Sequence, residues 1–200
     1  PDPTRGAGSY LPLAANPVFL RYALSQAFTL GGLLIFVFGA PAMITKGLGG
    51  TLNDFIIMQV AGIAVFIIAS NLAGRLADAF GPERMILFGT ALSAAGVVAL
   101  LIYGLLGGSH PIALAILFAP VNAGLGFRGP PGFYRAIVAS GGDDARGAAL
   151  VLLAILMTTA IGTAAAAPFV TLGITPLAAI AAAVSCGSLL CLAVLPKLKA

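Results

Sequence analysis

Charged side chains are scarce in this 200-residue sequence: 8% of its residues are charged, and 60% are hydrophobic. Soluble proteins carry roughly a quarter of their residues as charges. A soluble domain of this length also could not bury so much apolar surface. The composition therefore excludes an ordinary soluble protein and indicates an integral membrane protein.

Other scarce residues exclude further classes of protein. The isoelectric point near 9.5 reflects only six Asp and Glu against ten Lys and Arg, so it does not indicate a nucleic-acid surface. The only histidine, His110, falls in a Gly-Ser-His-Pro turn, while Cys186 and Cys191 are spaced to lie on different faces of a helix. No His, Asp or Ser/Lys cluster shares one depth, so we expect no metal site, no cofactor and no enzyme activity.

What the sequence has instead is long apolar runs. A bilayer core of about 30 Å requires about 20 apolar residues per helix, and because unpaired backbone amides are costly in lipid, each run must be helical. Six runs qualify, at 19–45, 55–76, 85–106, 111 to at least 127, 147–171 and 176–195. We therefore expect an all-α membrane protein with six transmembrane helices in a bundle at 18–196, and tails at 1–17 and 197–200.

The cations predict how the bundle is oriented. If the N-terminal tail is cytoplasmic, nine of the ten Lys and Arg lie at or near the cytoplasmic side, which leaves Lys46 alone outside. Cytoplasmic loops of membrane proteins carry an excess of Lys and Arg. We expect both termini in the cytoplasm and the protein in the cell inner (plasma) membrane.

The connection between the second and third runs carries a spaced motif. Its residues follow the pattern Gly74-x-x-x-Asp78-x-x-Gly81-x-x-Arg84, and these four residues are called the loop motif below. Gly81 can adopt a positive φ at the turn, and Gly74 permits a close helix approach. Asp78 can face Arg84 or the positive N-terminus of a neighbouring helix. Such a contact would hold in only one conformation and would act as a latch.

The loop motif resembles the cytoplasmic loop signature of the major facilitator superfamily, G-x-x-x-D-R-x-G-R-R. All four of its residues match, whereas Ala79 replaces the usual arginine and Pro82-Glu83 dilutes the basic cluster. This degraded form resembles the copy in the C-terminal half of these transporters. The segments 16–24, 31–41 and 147–150 resemble the corresponding half of the drug-resistance (Bcr/CflA-like) exporters, so the likeness covers about 16–195.

This resemblance implies two inverted three-helix repeats that together form half of a major facilitator fold, with substrate between the two halves. The first, fourth and fifth helices would line the cavity. Pro1 to Ala15 reads like a central linker, so we expect a C-terminal portion of a longer chain. The expected partners are the lipid bilayer, an N-terminal six-helix half or a second copy, and a small-molecule substrate.

Polar and aromatic residues in the apolar runs are the candidates for the cavity. An ionisable group at membrane depth is a functional candidate by default, and Arg128 lies about 25 Å along the fourth helix. Arg128 could reach the cavity or snorkel to the headgroups. Gln26 and Asn122 are candidate hydrogen-bond donors on cavity-lining helices, and Tyr22 and Phe36 are candidate aromatic wall residues.

A carboxylate or histidine is missing from the middle of every run. Asp54 and Asp78 stand at opposite ends of the second helix, so a proton carrier would have to lie in the other half. The sequence contains no tryptophan, which disfavours a sugar site. We expect half of a secondary active transporter that moves a small organic or amphipathic compound, with efflux and proton coupling as the expected mode. The alternative is a non-transporting membrane scaffold or assembly factor on the same fold.

Overall fold

The structure, a computed structural model, describes residues 10–198. Within this range it is helical, with a short first helix, six long ones and no described strand. The helices are α1 (Leu11–Ala14), α2 (Pro17–Ala42), α3 (Leu52–Phe80), α4 (Pro82–Leu105), α5 (Pro111–Val138), α6 (Asp144–Ala166) and α7 (Ile174–Val194). A π-helical turn, Met43–Gly47, extends α2, and a 3-10 turn, Ala167–Leu172, extends α6.

Local sequence explains where the long helices begin. Asn16 caps α2, its Oδ1 accepting hydrogen bonds from the backbone N–H groups of Val18 and Phe19. Thr51 and Asp54 form a reciprocal capping box at the start of α3. His110, exposed in its turn, caps α5 through Nδ1. These caps satisfy backbone donors that the first turn of a helix leaves unpaired.

The six expected spans are confirmed as six helices long and apolar enough to cross a membrane. The structure differs in where some of them end. The second, expected to stop at 76, continues to Phe80, and Gly81 alone forms the turn to α4. The fourth run, which was assigned as helical to at least 127, continues as one helix through Pro130 and Pro131 to Val138.

The helices do not pack in chain order. α2 packs chiefly against α7 and α6, whereas α5 packs chiefly against α3 and α4. α4 also contacts α7, and α2 contacts α5. Apart from α4 and α5, long helices adjacent in sequence, such as α2 and α3, touch far less. The first three long helices are thus interleaved with the last three.

Glycines lie where neighbouring helices approach each other closely. A Cβ at Gly124 of α5 would lie 2.4 Å from the carbonyl oxygen of Gly89 in α4. A Cβ at Gly32 of α2 would lie 3.0 Å from the backbone oxygen of Ala181 in α7. No side chain fits at these separations, so the glycines bring α5 onto α4 and α2 onto α7.

Candidate functional site

The largest fully buried side chain is that of Arg128, which is 0% exposed. Arg128 lies ten residues before the end of α5, about 15 Å along the helix axis. Its guanidinium reaches across to α2, where Nη1 donates to the Ser25 carbonyl oxygen at 2.5 Å and to Thr29 Oγ1 at 2.6 Å. Nη2 donates to Ser25 Oγ at 3.2 Å. The cation is therefore enclosed between α2 and α5 rather than extended to the headgroups.

Every recorded partner of Arg128 is neutral. The ion pairs within residues 10–198 involve Glu83 and Asp143 as acids, and neither pairs with Arg128. All acidic residues in this range lie near helix ends. A buried charge in a protein is normally paired with an opposite charge. Arg128 is thus a positive charge at membrane depth with no recorded counter-ion in the part of the chain that the structure describes.

Two buried polar atoms without a hydrogen-bond partner in the described residues lie near Gly132 of α5. Gln26 Oε1 and Arg128 Nε are buried and have no hydrogen-bond partner within residues 10–198. A Cβ at Gly132, one turn further along α5, would lie 3.2 Å from Gln26 Oε1, 3.0 Å from Arg128 Nη2 and 3.5 Å from Arg128 Nε. The position beside Gly132 therefore faces one free donor, Arg128 Nε, and one free acceptor, Gln26 Oε1, among the described residues.

Helix periodicity explains why the α2 partners of Arg128 lie together. Ser25 and Thr29 are four residues apart on α2 and so share one face, with Gln26 beside them. Ser25 and Thr29 also donate to backbone oxygens of their own helix, at Tyr22 and Ser25 respectively. Ser25, Gln26, Thr29 and Arg128 are called the Arg128 cluster below. Within residues 10–198, the buried side-chain atoms of this cluster without a hydrogen-bond partner are one guanidinium donor, Arg128 Nε, and one amide acceptor, Gln26 Oε1.

The structure brings together only two of the five predicted cavity residues, Gln26 and Arg128. Phe36 is buried and stacks on Phe118 of α5, with ring centroids 5.3 Å apart. Asn122 donates to the Phe118 carbonyl oxygen and lies against Gly62 of α3. Ser25 and Thr29 were not predicted, although two hydroxyls four residues apart in an apolar run are a readable signal.

Tyr22, the remaining predicted residue, belongs to a second cluster at one end of the bundle. Its hydroxyl donates to Glu83 Oε1 at 2.5 Å and accepts from the Leu198 backbone N–H at 3.0 Å. Glu83 Oε2 lies 3.5 Å from Arg21 Nη2, and Glu83 Oε1 lies 3.9 Å from Arg135 Nε. Arg21 Nη1 also donates to the Leu192 and Leu195 carbonyl oxygens. Arg21, Tyr22, Glu83 and Arg135, called the Glu83 cluster below, join α2, α4 and α5 to the chain after α7.

The loop motif has the predicted turn but none of the predicted contacts inside the bundle. Gly81 has φ +88°, as expected. No side chain or neighbouring backbone lies within 4 Å of a Cβ placed at Gly74. Asp78 and Arg84 are exposed, and no ion pair joins them within residues 10–198. The acid that forms ion pairs in this connection is Glu83, which the motif did not single out.

Within residues 10–198, no three side chains of His, Cys, Asp or Glu lie close enough together to hold a metal ion. Comparison with protein-family models, with curated proteins and with solved structures finds no match to this chain.

Proposed function

We propose that this chain forms one six-helix half of a secondary active transporter, which moves a small organic or amphipathic compound by alternating access. The observation that carries the proposal is the Arg128 cluster. A guanidinium is expensive inside a membrane, and such groups mark substrate or ion pathways. Arg128 has neutral hydrogen-bond partners and no counter-ion within residues 10–198, so an acceptor group of a substrate would complete its hydrogen bonding.

The packing pattern supports two three-helix repeats. If α2, α3 and α4 are exchanged with α5, α6 and α7, the α2–α6 contact maps onto α5–α3, and α2–α7 maps onto α5–α4. The α2–α5 and α4–α7 contacts map onto themselves. Transporters built from inverted repeats place their substrate where the repeats meet. The Arg128 cluster lies between α2 and α5, the pair related by this exchange.

The exposed faces support a partner bundle. α3 and α6 have the largest exposed share among the six spans, and they are again related by the exchange. The free face of α3 carries Gly74 and Asp78, whose partners would then belong to the other half. In this proposal the loop motif latches one conformation by contact with that half. A proton carrier, where transport is proton-coupled, is likewise assigned to the other half.

The charge distribution supports a multi-pass inner-membrane protein with both termini in the cytoplasm. The described cations other than Lys46 lie towards the end of the bundle that holds the Glu83 cluster, and Lys46 lies at the opposite end. Arg5 and Lys199, which were counted with that end, fall outside the described residues. Because loops rich in Lys and Arg stay on the cytoplasmic side of a membrane, the end of the bundle that holds the Glu83 cluster would face the cytoplasm.

The proposal is tested by dye efflux from cells that express the full-length protein. Ethidium and carboxyfluorescein serve as a cationic and an anionic amphipathic probe. We expect faster efflux of at least one dye than in cells without the protein, and loss of that efflux in Gly132→Ala. The added methyl group would press on Arg128 Nη2 at 3.0 Å and on Gln26 Oε1 at 3.2 Å, and both atoms are side-chain ends that can shift, so folding should survive.

Gly129→Ala is the matched control, because a Cβ at Gly129 meets nothing within 4 Å. This variant should transport at the wild-type rate. Equal efflux by wild type and Gly132→Ala would remove the Arg128 cluster from the transport path. Absence of efflux for both dyes, with the protein recovered in a stable complex with another membrane protein, would favour a scaffold instead.

A further inference from the structure

A cavity of about 300 Å³ opens at the end of the bundle that holds the Glu83 cluster, between the start of α4 and the end of α7. Three cations line it, Arg21, Arg84 and Lys197, together with one carboxylate, Glu83. Glu83 already accepts from Tyr22 and pairs with Arg21 and Arg135. The cavity is therefore net positive, and its only acid has its own partners.

One of these cations is buried with an unused donor. Arg21 is 4% exposed, and its Nε has no hydrogen-bond partner within residues 10–198. Its Nη1 is occupied by the Leu192 and Leu195 carbonyl oxygens. Arg84 and Lys197 are exposed at the mouth and are free to close on a ligand. The N-terminal end of α4, which begins at Pro82, adds the positive end of a helix dipole.

The remaining wall of the cavity is hydrocarbon. Leu87, which is 53% exposed, lines it on α4, and Leu189 lines it on α7. Both lie towards the membrane interior from the cations, since α4 runs inward from Arg84 and α7 runs outward to Lys197. Cations at a membrane boundary followed by apolar side chains match a phospholipid, whose phosphate and acyl chain follow in the same order. Basic pockets between transmembrane helices bind anionic headgroups in this way.

We infer that this cavity binds an anionic phospholipid, with its phosphate at Arg21, Arg84 and Lys197 and an acyl chain along Leu87 and Leu189. The inference depends on the helices lying in a membrane and does not depend on transport. A bound lipid would join the N-terminal end of α4 to the C-terminal end of α7, which belong to different three-helix segments.

The test is a lipid titration of the purified full-length protein in detergent, followed by native mass spectrometry. Palmitoyl-oleoyl phosphatidylglycerol is compared with the phosphatidylcholine of the same chains. We expect phosphatidylglycerol to bind about tenfold or more tightly, since each cation near the headgroup favours the anionic lipid. Arg84→Gln/Lys197→Gln should bind both lipids equally, whereas Arg84→Lys/Lys197→Arg, which keeps both charges, should retain the preference.

Arg75→Gln is the matched control, because it removes an exposed arginine at the same end that does not line the cavity; it should keep the preference. Equal binding of the two lipids by wild type would overturn the inference. The inference would also be overturned if Arg75→Gln lost the preference for phosphatidylglycerol as fully as the double glutamine variant. Displacement of phosphatidylglycerol by glycerol 3-phosphate at equal concentration would overturn it as well, because it would indicate a soluble phosphate ligand. If the double variant did not fold, either single glutamine variant would give the same comparison at half the charge change.

Discussion

Replacing Arg128 by methionine should stabilise the protein while it abolishes transport. An arginine at the centre of a transmembrane helix costs roughly 3 kcal/mol. Hydrogen bonds inside membrane proteins contribute about 0.6 kcal/mol each, so the three bonds of Arg128 offset about 2 kcal/mol of that cost. Methionine fills a similar volume without charge. Arg128→Met should therefore raise stability by about 1 kcal/mol, or on the order of 2–4 °C in melting temperature.

The matched control is Arg21→Met, because Arg21 is the other buried arginine. Unlike Arg128, it has an acidic partner in Glu83 and donates to two backbone carbonyl oxygens. Removing one partner of a buried ion pair is strongly destabilising, so Arg21→Met should lose at least about 2 kcal/mol. Heated size-exclusion chromatography of fluorescent fusions measures both variants. A melting temperature lowered as far by Arg128→Met as by Arg21→Met would show that Arg128 stabilises the fold, contrary to this prediction.

Three further substitutions test the packing and the connections by the same melting assay. Gly124→Ala should lower the free energy of unfolding by about 2–3 kcal/mol, because its Cβ would lie 2.4 Å from a backbone oxygen of α4. Gly129→Ala should leave that free energy almost unchanged. Equal losses in the two variants would contradict the close approach of α5 to α4. Gly81→Ala should lower the free energy of unfolding by about 1 kcal/mol, since φ there is +88°, whereas Gly129→Ala should not, because a Cβ at Gly129 meets no described neighbour within 4 Å. An unchanged melting temperature for Gly81→Ala would argue against the turn. Glu83→Gln should lower the free energy of unfolding by about 1–2 kcal/mol, because it leaves buried Arg21 without an anion. A more stable variant would show that the ion pairs of Glu83 do not stabilise the fold.

The sequence was sufficient to predict the six helices, because lipid leaves an apolar run of this length no alternative to a helix. It was less informative about helix ends. α3 continues to Phe80 because Leu76 to Phe80 contain no residue that stops a helix, and Gly81 does. Pro130 and Pro131 do not end α5, which continues to Val138 although proline is the poorest helix former.

The candidate site was only partly predictable. Arg128 and Gln26 were identified because polar groups are conspicuous in apolar runs. Their meeting depends on the α2–α5 contact, which joins elements about a hundred residues apart and which no local pattern encodes. The same limit applies to Glu83: its pairing with Arg21 and Arg135 requires three helix ends to converge.

Cysteine labelling shows directly whether the two ends of the bundle lie on opposite sides of the membrane. In a background with Cys186→Ala and Cys191→Ala, single cysteines are introduced as Ser109→Cys, in the α4–α5 turn, and Ala79→Cys, near the end of α3. Both positions are exposed. A membrane-impermeant maleimide applied to right-side-out and inverted membrane vesicles should label Ser109→Cys only in the former and Ala79→Cys only in the latter. Labelling of both cysteines from one side would contradict helices that cross the membrane with their cations on the cytoplasmic face.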